Sequence, residues 1–498
     1  MNVNPITRLD YPDLDVIRVE DTYYMVSTTM HFMPGCEILQ SFDLVHWEHA
    51  TYVYETLDHT DAQQLKSGQN IYGQGMWAAS LRYHEGRFYI CFVANDTRKT
   101  YLYTSEKIDG PWKKQLIEGF YHDGSLLFDE DGRNYIVYGN DEIWITELNE
   151  DLTAPKKGGL HRLLVSDHKN PELGYEGSHI QKINGYYYIF LIHSLRDRWM
   201  RTEACFYSDS LEGEFTGGDV LCDDRGYCGQ GVAQGGIVDT PDGKWYAMLF
   251  QDSGAVGRIP ILVPVTWKDH FPFFGQNGHV PEEIEVHSTR PEYIYQPLVG
   301  SDDFCNGLLP RWQFNHDPDP RYYHLDALQG TYTITTREVC TELTQAVNTL
   351  TQRMSYPSCA AEVTVDASAL KEGDVAGLCA LQGCYAAVGI TKHHGKYEVL
   401  MLDKKEDGIL DMTERTVVES HQMDFRLEAD FCNMKDEARC YYRVNKGDWL
   451  PIGTVHKLYF KLDHFTGCRF GLFCYAAEET GGSACFRDFK YYDVDEIS

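Results

Sequence analysis

The chain has 498 residues, of which 13% are aromatic, and it carries a formal net charge of −31 at pH 7. Its length exceeds what one ordinary core accommodates, so we expect two domains. The strong negative charge argues against nucleic acid or an anionic membrane as a partner, and it fits a small neutral ligand.

The N-terminal residues and the cysteines bear on the compartment. Residues 1–30 lack a basic stretch followed by an apolar run, and no stretch of about 18 apolar residues occurs anywhere. The 15 cysteines include no Cys-x-x-Cys pair, so neither a zinc nor a redox motif is indicated. We therefore expect reduced, mostly buried thiols in a cytoplasmic protein.

A short pattern recurs five times in the first 250 residues: a turn, then aromatic residues, then an apolar run. Turn dipeptides such as Asn184-Gly185 supply the positive φ of a tight hairpin, and the aromatic run suits a half-buried strand. The copies share one Tyr, at positions 24, 89, 135, 188 and 246. Repeats of this size, each with several short strands, are typical of a β-propeller. We therefore predict a five-bladed β-propeller over residues 1–295.

Equivalent positions of the repeats predict a shared site. The residues that lie 11 or 12 positions before the shared Tyr are Asp13, Trp77, Asp123, Glu176 and Gln234. If this offset marks the innermost strand of each blade, the five side chains converge on one funnel. Three carboxylates beside an aromatic and an amide are typical of a site that cleaves sugars. His31 and Phe32, on the loop after the first hairpin, are predicted to line its entrance.

The second half of the chain has a different pattern. After a crossover at 286–300, short alternating strands recur from residue 302 to residue 498, at 331–335, 360–365, 397–402, 441–444, 458–461 and 470–475. That spacing predicts a β-sandwich. We expect this domain to pack on the propeller and to close one side of the funnel; an independent sugar-binding module is the alternative.

Several motifs, in order along the chain, carry a resemblance to a known family. They are 11–19, 32–35 (Phe-Met-Pro-Gly), 77–79 (Trp-Ala-Ala), 123–126 (Asp-Gly-Ser-Leu), 176–179 (Glu-Gly-Ser-His), 257–258 (Gly-Arg) and 309–318. Together they resemble glycoside hydrolase family 43, over nearly the whole chain. The resemblance implies an all-β protein in which a five-bladed β-propeller precedes a concanavalin-like β-sandwich.

The resemblance also implies roles by matched position. Asp13 matches the general base, Asp123 the carboxylate that orients the acid and tunes its pKa, and Glu176 the general acid. Trp77 and Arg258 match residues that line the sugar pocket. The family is inverting, and its two-domain members include exo-acting β-xylosidases and α-L-arabinofuranosidases. We therefore predict an exo-acting, inverting hydrolase that releases terminal α-L-arabinofuranosyl or β-D-xylosyl residues, or both, from hemicellulose-derived oligosaccharides, and that requires no cofactor.

Three positions keep alternatives open. The first motif of the family often reads Asp-Pro-Ser, whereas Leu14-Asp15 follows Asp13 here, so Asp15 is an alternative base. Gln234 stands where many members carry a His near the axis; its amide can bond to a sugar hydroxyl or ligate a structural calcium. Arg258 either contacts the sugar or forms a salt bridge within the funnel. The number of chains in the assembly is also open.

The expected chemistry is hydrolysis by two carboxyl groups, which inverts when they lie roughly 6.5–9.5 Å apart and retains when they lie roughly 5–5.5 Å apart. Asp13 and Glu176 belong to blades one and four, so we expect room for a water between them. Burial and the like charge of Asp123 are expected to raise the pKa of Glu176. The alternatives are a retaining fructosidase-like hydrolase, whose Trp-x-Asn-Asp-Pro motif is absent, and a non-catalytic carbohydrate-binding propeller.

Overall fold

Five antiparallel sheets surround one axis in the N-terminal domain, as the repeats predict. The structure is a computed structural model that describes residues 2–493. Blade 1 consists, from the axis outward, of Asp15–Val19, Thr22–Val26, Gly35–Ser41 and Glu48–Tyr54. Blade 2 consists of Met76–His84, Arg87–Ala94, Lys99–Ser105 and Lys113–Ile117. Blade 3 consists of Ser125–Phe128, Asn134–Asn140, Glu142–Leu148 and His161–Ser166.

The last two blades follow the same order. Blade 4 consists of Glu176–Ile183, Tyr186–Ser194, Arg201–Ser208 and Thr216–Leu221. Blade 5 has a split inner strand and consists of Val232–Ala233, Ile237–Asp239, Trp245–Asp252, Arg258–Lys268 and Phe271–Phe274. Asn2–Val3 pairs with Glu283–Ile284. The shared Tyr lies on the second strand of every blade. The residue 11 or 12 positions before it therefore lies at or beside the start of the innermost strand.

Left-handed backbone occurs where each innermost strand begins. The residues with positive φ at these five equivalent places are Asp13 (51°), Ala78 (30°), Asp123 (49°), Gly177 (65°) and Gln234 (60°). In blades 2 and 4 the strand register also shifts here, between Trp77 and Ser80 and between Glu176 and His179. Such kinks re-aim side chains at the cost of some strain, and they are frequent beside functional sites. In this propeller they aim one side chain per blade at the axis.

A buried ion pair closes the axis below this level. Arg82 Nη1 donates to Asp15 Oδ2 at 2.7 Å, and His179 Nδ1 lies 3.1 Å from Asp15 Oδ1. Arg82 also donates to Ser125 Oγ and to backbone carbonyls of blades 3 and 4. Burial acts to raise the pKa of Asp15, but Arg82 and His179 outweigh it and lower that pKa to about 2. Asp15 is therefore a structural anion of the propeller floor.

The C-terminal domain is a sandwich of two antiparallel sheets. The strands of the first sheet, in spatial order, are Leu410–Val418, Lys396–Lys404, Tyr385–His393, Val375–Leu381, Arg469–Tyr475, Leu350–Arg353 and Gln313–Asn315. Those of the second are Tyr323–Asp326, Thr331–Thr335, Ser483–Asp493, Ser358–Asp366, Gln422–Asp430, Glu437–Val444 and Leu450–Lys457. The predicted boundaries at 295 and 302 fall between the last blade strand and the first sandwich strand.

The two domains share structure across their interface. Phe32–Met33 leaves the propeller and pairs with Gln313–Asn315 as an eighth strand of the first sandwich sheet. Arg353 of the sandwich forms a buried 2.8 Å ion pair with Glu37 of blade 1. The helices of residues 2–493 are single 3₁₀ turns, at Lys66–Gly68, Gly254–Val256, Leu343–Gln345 and Cys432–Met434. Accordingly, among these residues no helix has the length and apolar character needed to cross a bilayer.

Candidate active site

A cavity of about 200 Å³ opens at the end of the propeller axis where the kinked strands begin. All five residues chosen by the repeat offset line it, together with Arg258; they are Asp13, Trp77, Asp123, Glu176 and Gln234. The convergence expected from the repeats is therefore present. The close approach of blades 4 and 5 depends on Gly177, because a Cβ there would lie 2.7 Å from Gln234 Cγ.

His31 and Phe32 do not lie where the sequence predicted. Both are buried at the domain interface and neither lines the cavity. His31 Nε2 lies 3.2 Å from Asn315 Oδ1, and the Phe32 ring lies under the Arg469 guanidinium at 3.5 Å. The reason is the pairing of Phe32–Met33 with the sandwich sheet, which turns this loop away from the funnel.

Asp13 is held by two donors on one side of the cavity. Arg258 Nη1 donates to Asp13 Oδ1 at 2.5 Å, and Thr28 Oγ1 donates to Asp13 Oδ2 at 2.7 Å. Arg258 is fixed in turn by Asp252, whose Oδ1 accepts from Arg258 Nε at 3.2 Å. Arg258 thus forms the predicted salt bridge within the funnel, and it also lines the cavity.

Glu176 and Asp123 face a histidine on another side of the cavity. His122 Nε2 lies 3.5 Å from Asp123 Oδ2 and 3.6 Å from Glu176 Oε2. Asn140 Nδ2 donates to Glu176 Oε2 at 2.8 Å, and the Gly177 backbone N–H donates to Asp123 Oδ2 at 2.8 Å. The carboxylates of Glu176 and Asp123 therefore each accept one hydrogen bond of normal length, and both lie near the same His122 imidazole.

The protonation of this group differs from the sequence expectation. Burial raises the pKa of Asp123 to about 6, with smaller upward effects from Glu176 and Asp13. Burial acts to lower the pKa of His122, but Asp123 and Glu176 outweigh it and raise that pKa to about 9. For Glu176, burial acts to raise the pKa, yet His122 and the more distant Arg201 and Arg258 outweigh it, so the pKa of Glu176 is lowered. The like charge of Asp123 is thus offset by a neighbouring cation that the sequence analysis missed.

Aromatic and aliphatic side chains from both domains form the wall of the cavity. From the propeller come Trp77, Trp199 and Leu173, and from the sandwich come Leu462 and Phe465. The Phe465 ring packs edge-on against Trp77, with centroids 5.0 Å apart, and lies 3.7 Å below the Arg258 guanidinium. The C-terminal domain therefore completes one side of the funnel.

Sequence reasoning missed the residues that do not sit at the repeat offset. His122 directly precedes Asp123, and this adjacency was the one signal available for it. Asn140 ends the second strand of blade 3, and Arg201 begins the third strand of blade 4. Arg201 begins the third strand of blade 4 as Arg258 does in blade 5, so this position carried a periodic signal that the sequence analysis missed. The residues equivalent to Asn140 differ from blade to blade, so no periodic pattern marks that position.

Comparison with known proteins agrees with this architecture. The family model described as "Glycosyl hydrolases family 43" matches residues 3–272, and the one described as "Beta xylosidase C-terminal Concanavalin A-like domain" matches residues 301–492. A solved bifunctional GH43-CE protein of Bacteroides eggerthii is 42% identical, with a TM-score of 0.92 over 99% of this chain. The present chain spans 64% of that protein, which is less than two thirds of its length.

Curated relatives are more distant. A protein named beta-xylosidase from Formosa agariphila is 27% identical, with 99% of this chain and 89% of the relative aligned. A protein named non-reducing end alpha-L-arabinofuranosidase from Bacteroides ovatus is 25% identical, with 66% of this chain and 63% of the relative aligned. The chain is thus similar to proteins whose names specify two different pentosyl groups.

Proposed function

Because the chain belongs to family 43 of the glycosyl hydrolases, we propose that it removes single terminal pentosyl units from short hemicellulose-derived oligosaccharides, with inversion. The observation that carries this proposal is the cavity of about 200 Å³ with Asp13 and Glu176 on non-adjacent blades. Sites for drug-sized ligands occupy about 300–1,000 Å³. The smaller cavity suits one sugar unit at a chain end, and therefore exo action on an oligosaccharide.

In the proposed reaction, water attacks the anomeric carbon while Asp13 accepts its proton. The glycosidic C–O bond breaks, and Glu176 donates a proton to the departing oxygen. Arg258 and Thr28 keep the Asp13 carboxylate in one orientation, since each binds a different oxygen. The net reaction consumes one water and yields a free pentose of inverted configuration and an oligosaccharide one unit shorter. Asp13 then releases its proton to solvent and Glu176 takes one up, which restores the starting state.

Glu176 has to carry a proton when the bond breaks. We propose that the bound sugar supplies this condition, because it excludes water from the cavity and separates Glu176 from His122. Both effects raise the pKa of a carboxyl group. Asp123, whose pKa is about 6, is the adjacent group with which Glu176 can share a proton near neutral pH.

Unengaged donors in the cavity suit a sugar ring rich in hydroxyl groups. Within residues 2–493, Arg201 Nη1 has no hydrogen-bond partner, and the Gln234 side-chain amide makes no hydrogen bond. Trp77 and Phe465 supply the apolar surface on which C–H faces of sugars pack. The related beta-xylosidase and alpha-L-arabinofuranosidase support both β-D-xylosyl and α-L-arabinofuranosyl units as substrates.

The direct test is release of nitrophenol from aryl β-D-xyloside and aryl α-L-arabinofuranoside, measured side by side. Turnover of either supports the proposal, and the ratio of the two rates identifies the preferred sugar. Proton NMR of the first-formed sugar distinguishes inversion from the retention expected of a fructosidase-like mechanism. A folded protein that binds xylo-oligosaccharides and turns over neither substrate would instead be a carbohydrate-binding propeller.

A further inference from the structure

The Nε2 atom of His122 lies between the carboxylates of Asp123 and Glu176 and attracts both, but it forms a hydrogen bond with neither. This nitrogen is inaccessible to solvent and has no hydrogen-bond partner within residues 2–493. A buried polar atom of this kind normally costs free energy unless something pairs with it. The two nearest oxygens, Asp123 Oδ2 at 3.5 Å and Glu176 Oε2 at 3.6 Å, lie too far away for good hydrogen bonds.

Two of the three spacings between these ligand atoms are close to those found around a bound metal ion. Ligand atoms of the three residues all lie within 4.8 Å of one another. In a tetrahedral zinc site the metal–ligand distances are about 2.0–2.2 Å, which puts neighbouring ligand atoms roughly 3.4 Å apart. The two His122 distances fall within about 0.2 Å of that separation. The fourth position would face the cavity, as in open zinc sites.

The kinds of ligand select the class of ion. Calcium and magnesium prefer shells made of oxygen, whereas imidazole nitrogen suits zinc, copper and nickel. The two carboxylates are already oriented by Asn140 Nδ2 and the Gly177 backbone N–H, as metal-binding carboxylates commonly are.

We propose that His122, Asp123 and Glu176 form a binding site for a divalent transition-metal ion, with Zn²⁺ or Cu²⁺ preferred, which inhibits the protein. The ion would take the lone pair of Glu176 that otherwise carries the proton for the departing oxygen, and it would occupy part of the sugar cavity. To bind His122, the ion would displace the proton that this imidazole carries near neutral pH and release it to solvent. Binding of the ion requires only the three side chains, so it does not depend on the proposed hydrolysis. Inhibition does rest on that function.

Binding is tested by isothermal titration of ZnCl₂, and by the visible absorption of CoCl₂, after alkylation of exposed thiols. Alkylation is needed because thiolates bind the same ions, and the exposed cysteines are Cys222, Cys228, Cys305 and Cys432. His122→Asn and Glu176→Gln should each raise the Kd of the cavity site at least about tenfold. His161→Asn is the matched control, because His161 is an exposed imidazole of blade 3 outside the cavity.

Two further measurements separate the outcomes. Asp13→Asn should keep the stoichiometry of the cavity site and weaken Zn²⁺ binding far less than the two ligand variants, because Asp13 acts on the site only through its charge. D-Xylose should compete with the ion. Unchanged stoichiometry and affinity in both His122→Asn and Glu176→Gln, each checked for folding by circular dichroism, would overturn the proposal. Tight zinc binding at this site without hydrolysis of any pentoside would refute the proposed function and leave the metal site standing.

Discussion

Arg258 and Asp13 join the last blade of the propeller to the first through a hydrogen bond of 2.5 Å between the guanidinium Nη1 and the carboxylate Oδ1. The two residues are 245 positions apart in sequence, so this contact exists only when the propeller has closed. The hydrogen bond that orients the candidate base Asp13 therefore forms only when blades 1 and 5 meet.

Asp252 supports this pair and is expected to act as a positioning residue. Its carboxylate contacts Arg258 Nε at 3.2 Å and Arg201 Nε at 3.0 Å. Asp252→Asn should lower kcat/KM by up to about 10²-fold, since small misplacements of reacting groups have effects of that size. Asp252→Glu should recover part of the loss. Asp239→Asn, at the opposite end of the axis, is the control and should leave kinetics unchanged.

Substrates whose leaving groups differ in their need for a proton distinguish the roles of Glu176 and Asp13. Glu176→Gln should lower turnover of xylobiose or another natural disaccharide by about 10²–10⁴-fold. It should lower turnover of an activated aryl pentoside much less, because that leaving group departs without a proton. Asp13→Asn should lower both rates alike. Equal losses on both substrates in Glu176→Gln would remove Glu176 from the acid role.

His122 is expected to shift the pH profile. The general acid must be protonated, so kcat/KM falls as pH rises through its pKa. His122 holds the pKa of Glu176 down, and removing its positive charge raises that pKa. In His122→Asn the alkaline limb should therefore move to higher pH, with no such movement in His161→Asn. An alkaline limb that stayed in place or moved to lower pH would contradict this assignment.

Phe465 should contribute to sugar binding although it belongs to the second domain. Its ring contacts Trp77 and the Arg258 guanidinium, and aromatic pairs contribute about 0.5–1.5 kcal/mol. Phe465→Ala should raise KM about two- to tenfold with a smaller change in kcat. Phe273→Ala, a half-exposed phenylalanine of blade 5, serves as the control. An unchanged KM would limit the sandwich to a structural role.

Arg82 is expected to stabilise the fold. Arg82→Met leaves Asp15 buried without its cation and should lower the free energy of unfolding by about 3–5 kcal/mol, measured in urea. The pKa of Asp15 is lowered from 3.8 to about 2, so its contribution is present above that range and is lost as pH falls through it. The difference between wild type and variant should therefore shrink in acid.

Two comparisons test that expectation. The double variant Arg82→Met with Asp15→Asn should recover part of the stability, because no unpaired buried charge remains. Arg18→Met removes a more exposed ion pair with Asp239 and should cost about 1 kcal/mol or less. If Arg82→Met were no more harmful than Arg18→Met, the ion pair would not be the support of the propeller floor.

The sequence by itself determined the five-bladed repeat and one cavity residue from each blade. It could do so because a propeller converts a periodic position along the chain into an equivalent position around the axis. The offset from the shared Tyr therefore located residues as distant as Asp13 and Gln234 in one cavity, before any contact was known.

Only the tertiary structure placed Asp13 in the cavity and Asp15 in the ion pair below it, added His122 and Arg201 to the cavity, and placed His31 and Phe32 at the domain interface. Most of these outcomes depend on contacts that no repeat predicts: an ion pair across the axis, a histidine between carboxylates of two blades, and a strand shared with the sandwich. Phe465 is the clearest case, because its place in the cavity results from how two domains pack, which no repeat within either domain records.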